Sequence, residues 1–237
     1  MNKDNYDAYL SNGSLILFCG KHTDCFKNDV LHSILYANLT ATITSNDYEL
    51  WWQTYTRNLN RMEYPLNSRE VRQLEFNNSR LLNIVIESMG SALPEKEQQA
   101  LSSIFSYLGK QPEDSSAIKA IITRLQANAH NGTEGIAGAR TENQSISTAT
   151  VLTIVRNDKA LLTLQISFKT KGGITPGILN EPMLTTIKDG KNNIRLLRSS
   201  LNELKYDLIR ETVITKLNKK PQTDLLHLTP SALPELQ

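Results

Sequence analysis

TATVLTIVRNDKALLTLQISFKT, residues 148–170, decides how the rest of the chain is read. Leu162, Leu164, Ile166 and Phe168 alternate with Thr163, Gln165, Ser167 and Lys169, the period of a strand with one apolar and one polar face. The preceding arm sets a register. With Asn157 and Asp158 as the turn, Val155 faces Ala160, Val151 faces Leu164 and Ala149 faces Ile166, with Thr153 opposite Leu162 as the exception. A one-residue slip would scramble that match. A four-residue loop, Arg156 to Lys159, keeps the register and lets its two cations splay. The expectation is a β-hairpin with one covered face and one wet face.

Downstream, strands are expected near 184–188 and 194–198, with Asp189-Gly190 as a turn signal between them. Ser200 with Glu203 reads as a capping box opening a last helix. Leu201, Leu204, Leu208, Ile209, Val213 and Leu217 form its apolar stripe, and Pro221 ends it. This helix is expected to lie across the apolar face of the hairpin. Upstream, Ser14 to Gly20 reads as a short buried strand. Asn28-Asp29 open a helix carrying Val30, Leu31, Ile34, Leu35 and Leu39. A second helix from Asn46 lines up Trp52, Tyr55, Leu59 and Met62, and Val71 to Phe76 suits an edge strand. Three amphipathic helices follow, centred on Leu81–Met89, Ala100–Leu108 and Ala117–Leu125. Residues 128–147 are the longest loop candidate.

Helices first, strands afterwards and one closing helix define an α+β fold: a helix-rich N-terminal part, then an antiparallel sheet covered by a C-terminal helix. A doubly wound parallel sheet is disfavoured because strands and helices do not alternate. No low-complexity linker divides the chain. The expected organisation is one domain over 1–237, with a flexible N-terminus of about residues 1–13 and a tail of about 229–237.

The helix WWQTYTRNL, the hairpin and the closing helix YDLIRETVITKL are together similar to a group of uncharacterised soluble bacterial and fungal proteins. Trp52, Tyr55, Leu59, Tyr206, Arg210, Val213, Lys216 and Leu217 carry the resemblance. That group has no established activity, so the resemblance implies a shared fold and brings no site residues.

A net charge of +2 on 237 residues gives no ground for a nucleic-acid partner. The longest apolar run near the start, Leu15 to Cys19, is too short to span a bilayer and short for the core of a signal peptide. The chain therefore reads as cytoplasmic when synthesised, with leaderless export open.

Chemistry concentrates in one place. Of two cysteines and four histidines, Cys19, His22, Cys25 and His32 fall within fourteen residues. Thiolate and imidazole are zinc ligands, although this spacing matches no standard structural zinc module. The same segment could hold a Cys-His nucleophile pair. No cofactor is expected, and zinc is the one candidate metal. The leading expectation is a non-enzymatic protein acting by contact with a protein partner or a membrane surface, in the manner of a toxin-like or antagonistic factor. The alternative is a metal-binding protein or hydrolase built on Cys19, His22, Cys25 and His32.

Overall fold

Strand β1 (Tyr6–Ser11) turns through Asn12-Gly13 into β2 (Ser14–Cys19). Both turn residues have positive φ, +48° and +77°, which Asn and Gly adopt most readily and which matches the twist of a two-residue hairpin. The segment expected to fray is thus a strand from Tyr6 onward, with Ala8 and Leu10 in the core. This is a computed structural model, and it describes residues 6–44, 48–75, 80–127, 145–171, 174–179 and 192–229. The strand expected near 184–188, the tail from 230, residues 1–5 and most of the 128–147 loop lie outside the described residues.

Helices α1 (Asp24–Thr44) and α2 (Tyr48–Arg61) follow, then β3 (Leu66–Leu74). Next come α3 (Leu81–Met89), α4 (Glu95–Gly109) and α5 (Ser116–Ala127). The hairpin is β4 (Ser145–Val155) and β5 (Ala160–Lys171), followed by β6 (Asn192–Ser200). The chain closes with α6 (Glu203–Asp207), α7 (Arg210–Leu217), α8 (Lys220–Asp224) and β7 (Leu225–Leu228). Among the described residues the strands form one sheet in the order β3-β6-β5-β4-β2-β1-β7. The α+β class holds and the sheet is mostly antiparallel. The exception is β2 against β4, which run parallel because the whole segment carrying α1 to α5 is the crossover between them. Among the described residues, no helix is long and apolar enough to cross a membrane.

The hairpin register differs from the expected one by a single residue. Val155 pairs with Leu161, Thr153 with Thr163 and Leu152 with Leu164. The cause lies in the loop. Lys159 N donates to Arg156 O at 2.8 Å, Arg156 N donates to Ala160 O at 2.9 Å, and Lys159 sits at φ +65°. This is a three-residue loop, a tight turn followed by a left-handed residue, and it moves every cross-strand partner by one.

The second correction concerns the wet face, because among the described side chains of β5 there is none; the Lys169 side chain lies outside them. Leu152, Ile154, Leu162, Leu164, Ile166 and Phe168 face a core built with α3, α4 and α5. Val151, Val155, Leu161 and Leu197 face a second core shared with α1, α2 and α7. Between those apolar side chains, Thr163, Gln165 and Ser167 are 1–2% exposed. Thr163 Oγ1 lies 3.1 Å from Thr153 Oγ1, and Gln165 Oε1 accepts from Arg195 Nη1 at 2.8 Å. Arg195 in turn binds Glu49 on α2. Helices α3 to α5, not the closing helix, therefore cover the apolar face of the hairpin. Arg156 fastens the loop end to α4, with its Nε and Nη2 each 2.9 Å from a Glu97 carboxylate oxygen.

These contacts set a stability test. Leu164→Ala is expected to cost about 2–5 kcal/mol by opening a cavity. Thr163→Ala removes the Thr153 hydroxyl's cross-strand partner in the opposite core and is expected to cost about 1–3 kcal/mol. Urea denaturation of both variants checks this; a loss at Thr163 no larger than that of a surface substitution would place that face in water.

Candidate functional site

The outer surface of the C-terminal helices carries the features that stand apart from the rest of the molecule. Asn202 caps α6, its Oδ1 accepting from Lys205 N at 3.2 Å. The helix then tightens: Leu208 N donates to Lys205 O and Ile209 N to Tyr206 O, three residues back. The expected single helix is accordingly two, and its stripe divides. Tyr206, Val213 and Leu217 are buried, whereas Leu204 is 87% exposed and Leu208 83% exposed.

Arg210 explains the rotation. Its Nε and Nη2 lie 2.8 and 2.9 Å from the two carboxylate oxygens of Asp29, which is 3% exposed on α1. Arg210 Nη1 also binds Asp207. A two-pronged bond to a buried carboxylate fixes orientation as well as position. Tyr206, Arg210, Val213 and Leu217 follow at steps of four, three and four, so turning them toward α1 turns Leu204 and Leu208 to water. Sequence reading assigned those two leucines to the core. The signal that would have excluded them was the arginine inside the competing stripe. Ile214 is 38% exposed farther along, and the exposed side chains from Leu204 to Lys220 carry four lysines against two acids, Asp207 and Glu211.

The cysteine and histidine segment lies at the start of α1. Cys19 ends β2 half-buried, and burial pushes its thiol up to about 12, with Glu97 adding and Arg156 opposing. At that value it stays protonated and is a poor nucleophile. His22 Nε2 bonds the Cys19 carbonyl oxygen at 3.2 Å, and its ring stacks on Phe26 at 5.3 Å. Cys25 is exposed, with Sγ 3.9 Å from Asp29 Oδ2. His32 is seven residues farther along the helix, about 10 Å along the axis. Among the described residues, no group of three or more His, Cys, Asp or Glu side chains is placed to hold a metal ion.

No family model matches the chain, and no curated protein matches it. Among solved structures, it is similar to the structure of the Evf virulence factor, with TM-score 0.43 and 9% identity over 89% of this chain and 82% of that one. It is also similar to a delta-endotoxin, with TM-score 0.40 and 14% identity over 81% of this chain and 83% of that one. A third, the transpeptidase domain of the FtsI4 D,D-transpeptidase from Legionella pneumophila, has TM-score 0.20 and 11% identity over 90% and 88%. At these scores the likenesses carry no inference about function.

The histidines give the segment a pH dependence. Burial lowers the His22 pKa below its ordinary 6.5, with the bond to the Cys19 carbonyl opposing; burial lowers His32 likewise, with Asp29 opposing. The folded state then holds fewer protons than the unfolded state below that value, so stability is full above it and declines as pH falls through it. The urea midpoint is expected to drop between about pH 7 and pH 5.5. A His22→Gln, His32→Gln double variant should show a flatter profile, and an unchanged slope would remove these imidazoles from the account.

Proposed function

We propose that this chain is a non-enzymatic protein that acts by contact with an anionic membrane surface, using the outward face of its C-terminal helices. The observation that carries the reading is the pair of leucines, Leu204 and Leu208, held more than four-fifths exposed by a segment locked to the core through Arg210 and Asp29. Scattered exposed leucines need no explanation, but two on one anchored turn present a preformed apolar contact. Inserting each into an acyl boundary is worth about 1.5–3 kcal/mol. Lys216 and Lys219 suit phosphatidylserine-type headgroups, at about 1 kcal/mol for each cation near the surface, while Lys205 and Lys220 stand near Glu63 and Asp224. The sum describes a reversible, salt-sensitive attachment without a spanning segment. A toxin-like or antagonistic factor is a protein of this kind.

Co-sedimentation with vesicles tests it. The protein is expected to bind phosphatidylserine–phosphatidylcholine vesicles, to bind phosphatidylcholine vesicles less, and to release as salt rises. A Leu204→Ser, Leu208→Ser variant should melt as the parent does and bind at least about tenfold more weakly. Absence of binding to anionic vesicles, or equal binding by the variant, would overturn the reading.

A further inference from the structure

Apart from the leucine face, the β1–β2 turn, the end of α1, helix α5 and the α8–β7 junction enclose a cavity of about 310 Å³. Asn12, Thr42, Lys119, Thr123 and Asp224 line it together with Arg124. Gly13 closes the turn directly on α5: a Cβ at this residue would stand 2.4 Å from Ala120 O and 2.5 Å from Arg124 Cβ.

Arg124 is 4% exposed, and among the described residues no acid is ion-paired with it. Burial alone pushes its pKa down to about 10, with only Tyr55 opposing. Its guanidinium lies 4.2 Å over the Trp51 ring, and Nη1 donates to Thr42 Oγ1 at 3.2 Å. Thr42 Oγ1 also accepts from Trp51 Nε1 at 3.2 Å and donates to Asn38 O at 2.8 Å, so its own hydrogen-bonding capacity is filled and the guanidinium is fixed in place. The two donors left without partners are Nε and Nη2, both closed off from solvent. They share one edge of the guanidinium, the fork that meets two oxygens of a carboxylate or phosphate. A buried cation with that edge unused is strongly unfavourable unless an anion completes it. Packing on Trp51 accounts for the ring contact and leaves both the charge and the edge unexplained.

We propose that this cavity binds a phosphate group, held by the uncompensated charge of Arg124 in its wall. Lys119, exposed on the same helix, adds a second cation, and Thr123 and Asn12 add neutral donors from two elements. Donors from several directions suit a tetrahedral oxyanion better than a planar carboxylate. Asp224 also lines the cavity, but Lys220 Nζ stands 3.5 Å from its Oδ2, so the lining as a whole is cationic. This inference is independent of the membrane reading.

Calorimetric titration with inorganic phosphate, at ionic strength matched with sodium chloride, is the test. The full chain is expected to bind phosphate saturably, more tightly than acetate. Arg124→Met should weaken binding at least about tenfold. Lys119→Glu, at an exposed position, should leave melting in chloride unchanged and weaken phosphate binding severalfold. Glycerol 3-phosphate run beside inorganic phosphate distinguishes an esterified source, such as a lipid headgroup fragment, from the free ion by which binds more tightly. Lack of phosphate binding by the parent, acetate bound as tightly as phosphate, or undiminished binding in both variants would overturn the proposal.

Discussion

From Leu161 to Phe168, strand β5 has no side that meets water, and the rest of the structure depends on how that is managed. Its Leu162, Leu164, Ile166 and Phe168 are apolar and need only volume, which α3, α4 and α5 supply. Its odd-numbered residues Thr163, Gln165 and Ser167 are polar and equally buried, so each needs a partner inside the second core. Thr153, Arg195 and the Asn193 carbonyl provide them. The Gln165–Arg195 bond continues to Glu49 at the start of α2, and so couples the middle of the sheet to the helix that carries Trp51, Trp52 and Tyr55. The aromatic layer sits where it does partly because a polar ladder beneath it had to be closed.

What the sequence disclosed follows the range over which its signals act. Alternation along β5 and the stripes of α3, α4 and α5 are local, and they were readable residue by residue. The register was lost to one left-handed residue, Lys159, because neither Gly nor Asn marked the third loop position. Strand β1 carries its own signal, since Asn12-Gly13 marks a hairpin, although the few apolar residues before it resemble a fraying end. The apolar run from Leu15 to Phe18 likewise indicated a strand covered on both faces, with Leu15 and Leu17 in one core and Ile16 and Phe18 in the other. Its parallel pairing with β4 depended on a crossover of more than a hundred residues, which no local pattern encodes.

The candidate sites divide along the same line. Cys19, His22, Cys25 and His32 are neighbours in sequence, but one chain of contacts occupies His22 and burial silences Cys19, so adjacency did not become a site. Leu204 and Leu208 belonged to a plausible stripe and lost to a second stripe that contained Arg210. Hydrophobicity alone favours the first stripe. The second wins because Asp29, 181 residues away, offers Arg210 a two-pronged bond inside the protein. A buried acid cannot be recognised from its own neighbours on α1, so the competition is invisible until both helices are in place.

Arg210 and Arg124 show what a guanidinium requires when it leaves water. Arg210 remains about a quarter exposed and still engages a carboxylate with both oxygens. Arg124 is far more deeply buried, yet its company is an indole face, a threonine hydroxyl and a tyrosine. A cation–π contact offsets part of the loss of hydration but supplies no hydrogen-bond acceptor for Nε or Nη2. Moving the Thr42 hydroxyl to them is blocked, because that oxygen already serves Nη1, Trp51 and the Asn38 carbonyl. Closing the gap from within would require an acid on α5, on the β1–β2 turn or on α1 near Thr42. The acid that does reach the cavity, Asp224, has Lys220 beside it instead. The same chain that matches Arg210, Arg156 and Arg195 to carboxylates therefore leaves the most enclosed of these four guanidiniums unmatched, beside a cavity large enough to admit the missing charge.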